Sequence, residues 1–374
     1  MMAVIIREVT TKKQLRTFID FSLKLYDKNP YWVPPLYFDE LNTLDWDKNP
    51  AFEDAQARYW LAYRGNQVVG RIAGIYNPKY VQKWGKKNVR FGWIDFINDE
   101  EVSAALLKTV EDWARTLNME AVHGPLGFTD LDPEGMLIEG FEELGTLALI
   151  YNYEYYPEHL KKLGYEKEID WLEYEIHVPE KPIEKISKAA EIVLKRNNLH
   201  ILEVNHKKDL LRYSKELFYL LDDEYSHLFG TVPLSEKQME TYINQYFGFI
   251  SPEFVPVVLD ENNKMIAFGI VMPSLSIALQ KSKGKLFPLG WYYLLRALKK
   301  NDRADLYLIA VKSEYQGKGI NAVLMDKINQ VFINKGITIV ETNAELETNT
   351  DVQGQWKYYE KRQHKRRRCF IKTL

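Results

Sequence analysis

The chain has 374 residues, 46% of them hydrophobic, and a formal net charge of −2. That length is comfortable for two domains with sizeable cores, and the near-balanced charge gives the chain as a whole no electrostatic reason to seek nucleic acid or an anionic membrane. A single cysteine, Cys369, excludes an intramolecular disulfide and a cysteine-cluster metal site, and with no signal peptide and no membrane-spanning run a cytoplasmic location is expected.

Ala3 to Val9 predicts a strand, and Leu15, Phe18, Ile19 and Leu25 recur at helical spacing up to Asn29-Pro30. Trp60 to Tyr63 and Gln67 to Ile75, joined by Arg64-Gly65-Asn66, predict a hairpin. Val89 to Phe96 predicts a strand that runs through Asn98-Asp99-Glu100-Glu101 into a helix carrying Val102, Ala105, Leu106, Val110, Trp113 and Leu117. A strand from Ala121, a helix ended by Gly164 and a strand from Trp171 to His177 follow. Pro179 and Pro182 mark a domain boundary, which gives domains over 1–180 and 181–374.

The second half repeats the order. A helix through Ile183, Ile186, Ala190 and Val193 precedes a strand from His200 to Val204 and a helix from Leu210 to Tyr225. Ser235-Glu236-Lys237-Gln238 has the capping-box pattern, and Phe254 to Leu259 with Met265 to Met272 predicts a second hairpin. Phe287 to Lys300 is an amphipathic insertion that suits a lid or a packed element, with a membrane-surface helix as the alternative. After the stretch from Asp305 to Gly336 come a strand from Ile337 to Glu341, a short helix around Trp356 to Tyr359, and a last strand from His364 to Lys372. The basic run Lys361 to Arg368 is expected on the exposed face of that strand, with an anion-binding role as the alternative.

The stretch from Asp305 to Gly336 carries most of the functional signal. Leu306 to Val311 is a continuous apolar run of strand length, Lys312 to Gln316 is polar, and Gly317 and Gly319 stand where Ile320, Val323, Leu324, Ile328, Val331 and Phe332 begin to recur helically. Such a junction aims free backbone N–H groups and the positive end of the helix dipole at one spot, which suits a phosphate. The dinucleotide fingerprint would need a glycine at Ala322, and the Walker lysine with its following Ser or Thr is missing.

Gln316-Gly317-Lys318-Gly319-Ile320-Asn321 resembles the acyl-CoA loop of the GNAT acyltransferase superfamily, with Asn321 departing from its pattern. The phrases at Pro30 to Leu36, Val68 to Asn77, Ile138 to Phe141 and Tyr151 to Tyr165 look like those of a bacterial family of uncharacterised tandem GNAT proteins. The resemblance implies an α/β fold with mixed sheets, arranged as two tandem GNAT-like domains that cover nearly the whole chain. It further implies acetyl-CoA or another acyl-CoA as co-substrate, held by Gln316 to Asn321 and by the backbone of Ile309, Ala310 and Val311. The acceptor implied is an amine on a small molecule or peptide, expected between the two domains.

A lysine-like amine lies roughly 3.4 pH units, or about 4.6 kcal/mol, from its reactive form at neutral pH, so a base is useful. Family members place a carboxylate near Glu341, with Glu345 and Glu347 as rivals here, and a tyrosine acid at the position of Trp356, which leaves that role to Tyr358 or Tyr359. In the first domain the acidic segment Ile97 to Glu101 has no glycine and suits a capped helix, so no CoA site is expected there. That domain is expected to supply acceptor-binding surface through Tyr151, Asn152, Tyr155 and Tyr156. His123 and His159 have no companions at metal-ligand spacing, so no metal is assigned, and no nucleic-acid partner is expected. Two other readings stay open: a CoA-binding or scaffolding protein that has lost acid and base, and a Fem-type aminoacyl transferase using charged tRNA.

Overall fold

The computed structural model describes residues 2–204, 206–247 and 250–374. The chain forms two compact units: the first holds Met1–Leu172, Leu275–Leu294 and His364–Leu374, the second Glu173–Ser274 and Leu295–Gln363. The division therefore differs from the expected one at residue 180. It lies inside a strand, and two later segments return to the first unit, held in part by ladder hydrogen bonds that no local pattern announces.

In the first unit the elements run β1 (Val4–Glu8), α1 (Lys12–Leu25), α2 (Tyr37–Leu44), β2 (Gln56–Arg64), β3 (Gln67–Tyr76), α3 (Pro78–Trp84), β4 (Asn88–Phe96), α4 (Glu100–Thr116), β5 (Ala121–Gly124), β6 (Met136–Glu139) and α5 (Tyr155–Lys162). The strand β7 (Glu166–His177) begins here and ends in the second unit. Strands β1 to β5 lie in sequence order, with β4 and β5 parallel and the earlier pairs antiparallel. β4 is buried along almost its whole length, as a strand covered on both faces must be, and α4 lays Val102, Leu106, Leu107, Val110 and Trp113 into the same core. The pairing of β4 with β5 stops at Arg90 and His123, although β4 continues to Phe96.

α4 starts as its sequence predicts. Asp99 is the N-cap and accepts from the Glu101 backbone N–H at 3.0 Å, while Glu100 and Glu101 complement the helix dipole in the first turn. α2 and α3 are not anticipated by the apolar spacing because each is about two turns long; only Asn77-Pro78, an N-cap followed by a first-turn proline, could have signalled α3.

The second unit continues with α6 (Glu184–Arg196), β8 (His200–Ile201), α7 (Lys207–Leu211), α8 (Ser214–Tyr225), α9 (Glu236–Tyr246), β9 (Val257–Leu259) and β10 (Met265–Pro273). Then come α10 (Ser276–Ser282), α11 (Gly290–Lys299), β11 (Arg303–Val311), α12 (Ile320–Lys335), β12 (Ile339–Thr342), β13 (Glu345–Leu346), α13 (Thr350–Gly354) and β14 (Lys361–Thr373), of which α10, the first half of α11 and β14 from His364 belong to the first unit. Its strand order is β7-β12-β11-β10-β9-β8. The single helix expected from Leu210 to Tyr225 is two helices broken at Tyr213, and the capping box at Ser235 forms as read.

The basic run is not a solvated face. Lys365 and Arg367 are buried, and Arg366 and Arg368 both pair with Asp170 in the first unit, at 3.2 and 2.7 Å. Residues 366–373 of β14 bond to β5 and β6, which turns alternate basic side chains inward, where carboxylates and carbonyls satisfy them.

Candidate functional site

The glycine loop lies in the second unit at the end of β11. β11 pairs with β12 only from Arg303 to Leu306, so from Tyr307 onward that edge leaves its parallel neighbour. On the other side the ladder with β10 slips between Ile270 and Val271, which leaves Tyr307 without a partner residue. A tight turn, Ser313–Tyr315, then leads to Gln316, Gly317 and Gly319.

Both glycines adopt left-handed backbone, with φ +70° and +85°, which a Cβ would strain. Gly319 is the N-cap of α12 and brings no side-chain cap, and the first turn of α12 carries no acid. Among the described residues no hydrogen bond takes up the backbone N–H of Gly317, Gly319, Ile320 or Asn321. A Cβ at Gly317 would meet nothing within 4 Å, so the turn is open on that side. These amides and the helix dipole converge on one place and suit an anionic diphosphate. The contrast with α4, whose N-terminus is filled by Asp99 and two glutamates, is direct.

The loop is held by a residue that the sequence did not point to. Glu224 on α8, buried, accepts from the Ser313 backbone N–H at 2.6 Å, the Ser313 hydroxyl at 2.7 Å and the Gln316 amide at 2.9 Å. Gln316 also donates to the Val311 carbonyl at 3.0 Å, so its side chain tightens the turn. Next along α8, the Tyr225 hydroxyl donates to the Ile309 carbonyl at 3.0 Å and accepts from the Ile309 N–H at 3.4 Å. Glu224 and Tyr225 stand about ninety residues before the loop, beyond the reach of any local spacing.

The three carboxylates weighed as bases separate. Glu341 is half-buried on β12, in register with Asp305 on β11 and Glu175 on β7. Glu345 on β13 is buried; burial pushes its carboxyl up to about 7, and its Oε1 accepts from the Trp356 ring N–H at 2.8 Å. Its second oxygen, Oε2, is buried and has no hydrogen-bond partner among the described residues. Glu347 is half-buried. Trp356 thus serves as a hydrogen-bond donor where the family pattern has its tyrosine.

The two tyrosines go to different places. Tyr358 is exposed beside Lys185, whose hydrogen bond lowers its pKa. Tyr359 is raised to about 12 by burial, and its hydroxyl accepts from Asn329 of α12 at 2.6 Å.

In the first unit, the four residues expected to bind acceptor serve mostly structure. Asn152 pairs with the Leu137 backbone on both sides, at 2.7 and 3.0 Å. Tyr155 donates to the Phe96 carbonyl at 2.6 Å, and the Tyr156 hydroxyl takes the Phe96 N–H at 2.9 Å. These two hydroxyls bond the end of β4 beyond the reach of β5. Tyr151 lines a cavity of about 90 Å³ with Trp32, Glu40, Arg71, Trp93 and Asp95. There Arg71 bonds Asp95 at 2.7 Å, Tyr26 donates to Asp95 at 2.7 Å, and burial pushes the Glu40 carboxyl up to about 7 against the nearby Arg71.

His123 does have companions. Its Nδ1 lies 2.8 Å from Glu168, and the ligand atoms of His123, Glu168 and Cys369 lie within 4.8 Å of one another. Glu168 also pairs with Lys86 at 3.2 Å, and burial pushes the Cys369 thiol well up, so these groups form an internal hydrogen-bonded cluster. Sequence spacing missed it because β5, β7 and β14 bring it together.

Residues 215–364 match the model of the Acetyltransferase (GNAT) family. The chain is 27% identical to Protein YghO of Escherichia coli, over 99% of this chain and 95% of that one. It is also 27% identical to the bacterial ceramide synthase of Caulobacter vibrioides, over 91% and 90%. Among solved structures, a tandem GNAT protein from the clavulanic acid biosynthesis pathway superposes with a TM-score of 0.54 at 11% identity, covering 99% of this chain and 98% of that one. No helix among the described residues is long and apolar enough to cross a membrane.

Proposed function

We propose, from the match of residues 215–364 to the Acetyltransferase (GNAT) family model and from the fold shared with a tandem GNAT protein, that the chain is an acyl-CoA-dependent N-acyltransferase with its cofactor at Gln316 to Asn321. The observation that carries this is the loop itself: left-handed glycines, unpaired amides, an uncapped helix N-terminus free of acids, and a buried carboxylate that locks the turn. These features fit a CoA diphosphate by the chemistry of their donors.

The bound thioester supplies the acyl group; the residues of the second unit handle the protons. The amine nitrogen forms a bond to the acyl carbon as the carbon–sulfur bond breaks, the proton shed by nitrogen goes to a carboxylate, and the thiolate takes a proton as it leaves. Glu345, with its carboxyl near 7, is matched to that first transfer at neutral pH, with Glu341 as the other candidate. Tyr359, held by Asn329, and the exposed Tyr358 are the candidates for the second. In the first unit, the cavity bordered by Tyr151 and Glu40 is proposed as acceptor-binding surface.

The name of the Caulobacter relative suggests the acceptor class. A ceramide is the amide of a fatty acid and a long-chain amino alcohol, so a lipid amine joins small amines and peptides as a candidate. Release of CoA from acetyl-CoA and long-chain acyl-CoA, measured across a panel of amines that includes long-chain amino alcohols, tests the proposal. No release with any pair would refute turnover. A reading as a CoA-binding protein without turnover rests on one observation: Trp356, at the position of the family's tyrosine acid, is buried and donates to Glu345, and an indole N–H does not protonate a thiolate.

A further inference from the structure

Apolar side chains on a protein surface are ordinarily scattered. Here six of the thirteen large ones exposed among the described residues fall within the nineteen residues from Ile277 to Leu295. They are Ile277, Phe287, Leu289, Trp291, Tyr292 and Leu295, with Phe287 80% exposed. On α11 the outward positions are 291, 292, 295, 296 and 299, which form one helical face, while Gly290 and Leu294 are buried. That face reads Trp, Tyr, Leu, Arg, Lys.

The charge of the same stretch is one-sided. No Asp or Glu occurs between Glu261 and Asp302, whereas Lys281, Lys283, Lys285, Arg296, Lys299 and Lys300 all lie between Ser276 and Lys300. With the chain at −2, these six leave the remaining residues at −8. Net charge therefore hides a locally cationic stretch inside an acidic chain.

The segment is anchored through its first part, Ser276 to Gly284, which leads into this face. The Ser276 hydroxyl donates to the Gly145 carbonyl at 2.9 Å, and the Gln280 amide to the Pro30 and Trp32 carbonyls at 2.8 and 3.0 Å. The Tyr37 N–H donates to the Gly284 carbonyl at 2.9 Å. Of the cations, Lys283 pairs with Asp27 at 2.6 Å and remains exposed. The apolar side chains are thus held out by a fastened support, with the ordering already done.

We infer that the segment Ser276–Lys300 is a docking face for an anionic lipid bilayer. Phe287 and Leu289 would enter the boundary between headgroups and acyl chains, with Trp291 and Tyr292 at headgroup level, where amphipathic rings favour residence. The lysines and Arg296 would lay their stems along the apolar boundary and direct their charges to lipid phosphates. A second copy of this chain fits less well, because a symmetric contact would set this cationic face against itself. The inference stands on these residues alone and is independent of acyl transfer.

The test is flotation of the full chain with vesicles of mixed phosphatidylcholine and phosphatidylglycerol, and with phosphatidylcholine alone. Retention is expected on the mixed vesicles and should weaken as salt is raised. The triple variant Phe287→Ser, Trp291→Ser, Leu295→Ser, and separately Arg296→Glu with Lys299→Glu, should each reduce partition by about tenfold or more. CoA binding should be unchanged in both, since these side chains are exposed and remote in sequence from the loop, and that separates failure of the docking face from failure of the fold or of the CoA site. Absence of vesicle binding at low salt, or equal binding by the triple variant, would overturn the inference. So would a triple variant that turns a dimer into a monomer while binding vesicles as before, which would give the face to a second copy.

Discussion

Glu345→Gln should make the protein more stable in base and not in acid. In the folded chain the Glu345 carboxyl is raised from 4.5 to about 7, chiefly by burial, and the bond from Trp356 offsets only part of that. A group raised in this way contributes stability that is fully present below its unfolded value and is lost as pH rises through its folded one. The window therefore runs from about 4.5 to about 7, and the difference corresponds to about 3 kcal/mol withheld once Glu345 is ionised. Glutamine keeps an oxygen to accept from Trp356 and carries no proton to lose. Urea unfolding should give nearly equal stability for the two proteins at about pH 4 and a variant more stable by up to about 3 kcal/mol at about pH 9. A stability gap of the same size at both pH values would refute the reasoning, because it would trace to packing rather than to ionisation. If Glu345 is the base, the same substitution lowers turnover by ~100-fold to ~10,000-fold, while Glu341→Gln, measured alongside, leaves turnover near that of the unaltered enzyme.

Gly319→Glu should abolish CoA binding by calorimetry, since it sets a carboxylate at the amides of the α12 N-terminus and forces a side chain onto backbone at φ +85°; unchanged affinity in a folded variant would refute the loop assignment. Glu224→Leu should weaken CoA binding by unpairing Ser313 and Gln316, which are exposed and turn to water instead, so the loosened turn should cost only about 1 kcal/mol, and a variant with full affinity would show that the turn holds itself. Asp99→Ala should cost about 1 kcal/mol of stability through the lost cap and leave CoA affinity unaltered. Titration of the intact chain should find one CoA site, and two would show that the acidic start of α4 does not close the first unit to the cofactor.

What could be read from the sequence was local. The step from the apolar strand through Gln316, Gly317 and Gly319 into α12 is set by steric and dipolar rules that act within a few residues, and so is the acidic cap of α4. Strand and helix order followed from hydrophobic period for the longer elements, whereas two-turn helices such as α2 and α3 offer too few apolar positions to show one. The tertiary structure alone decided which polar groups leave water and what they meet there. Glu224 holds the loop because α8 packs beside it, and the Glu345 carboxyl rises to about 7 because it is buried, a rise that the bond from Trp356 only reduces. Likewise Arg367 turns inward because the end of β14 adds to β5 and β6. A residue type specifies a charge, but the energy of that charge depends on desolvation and on partners that arrive from distant parts of the chain.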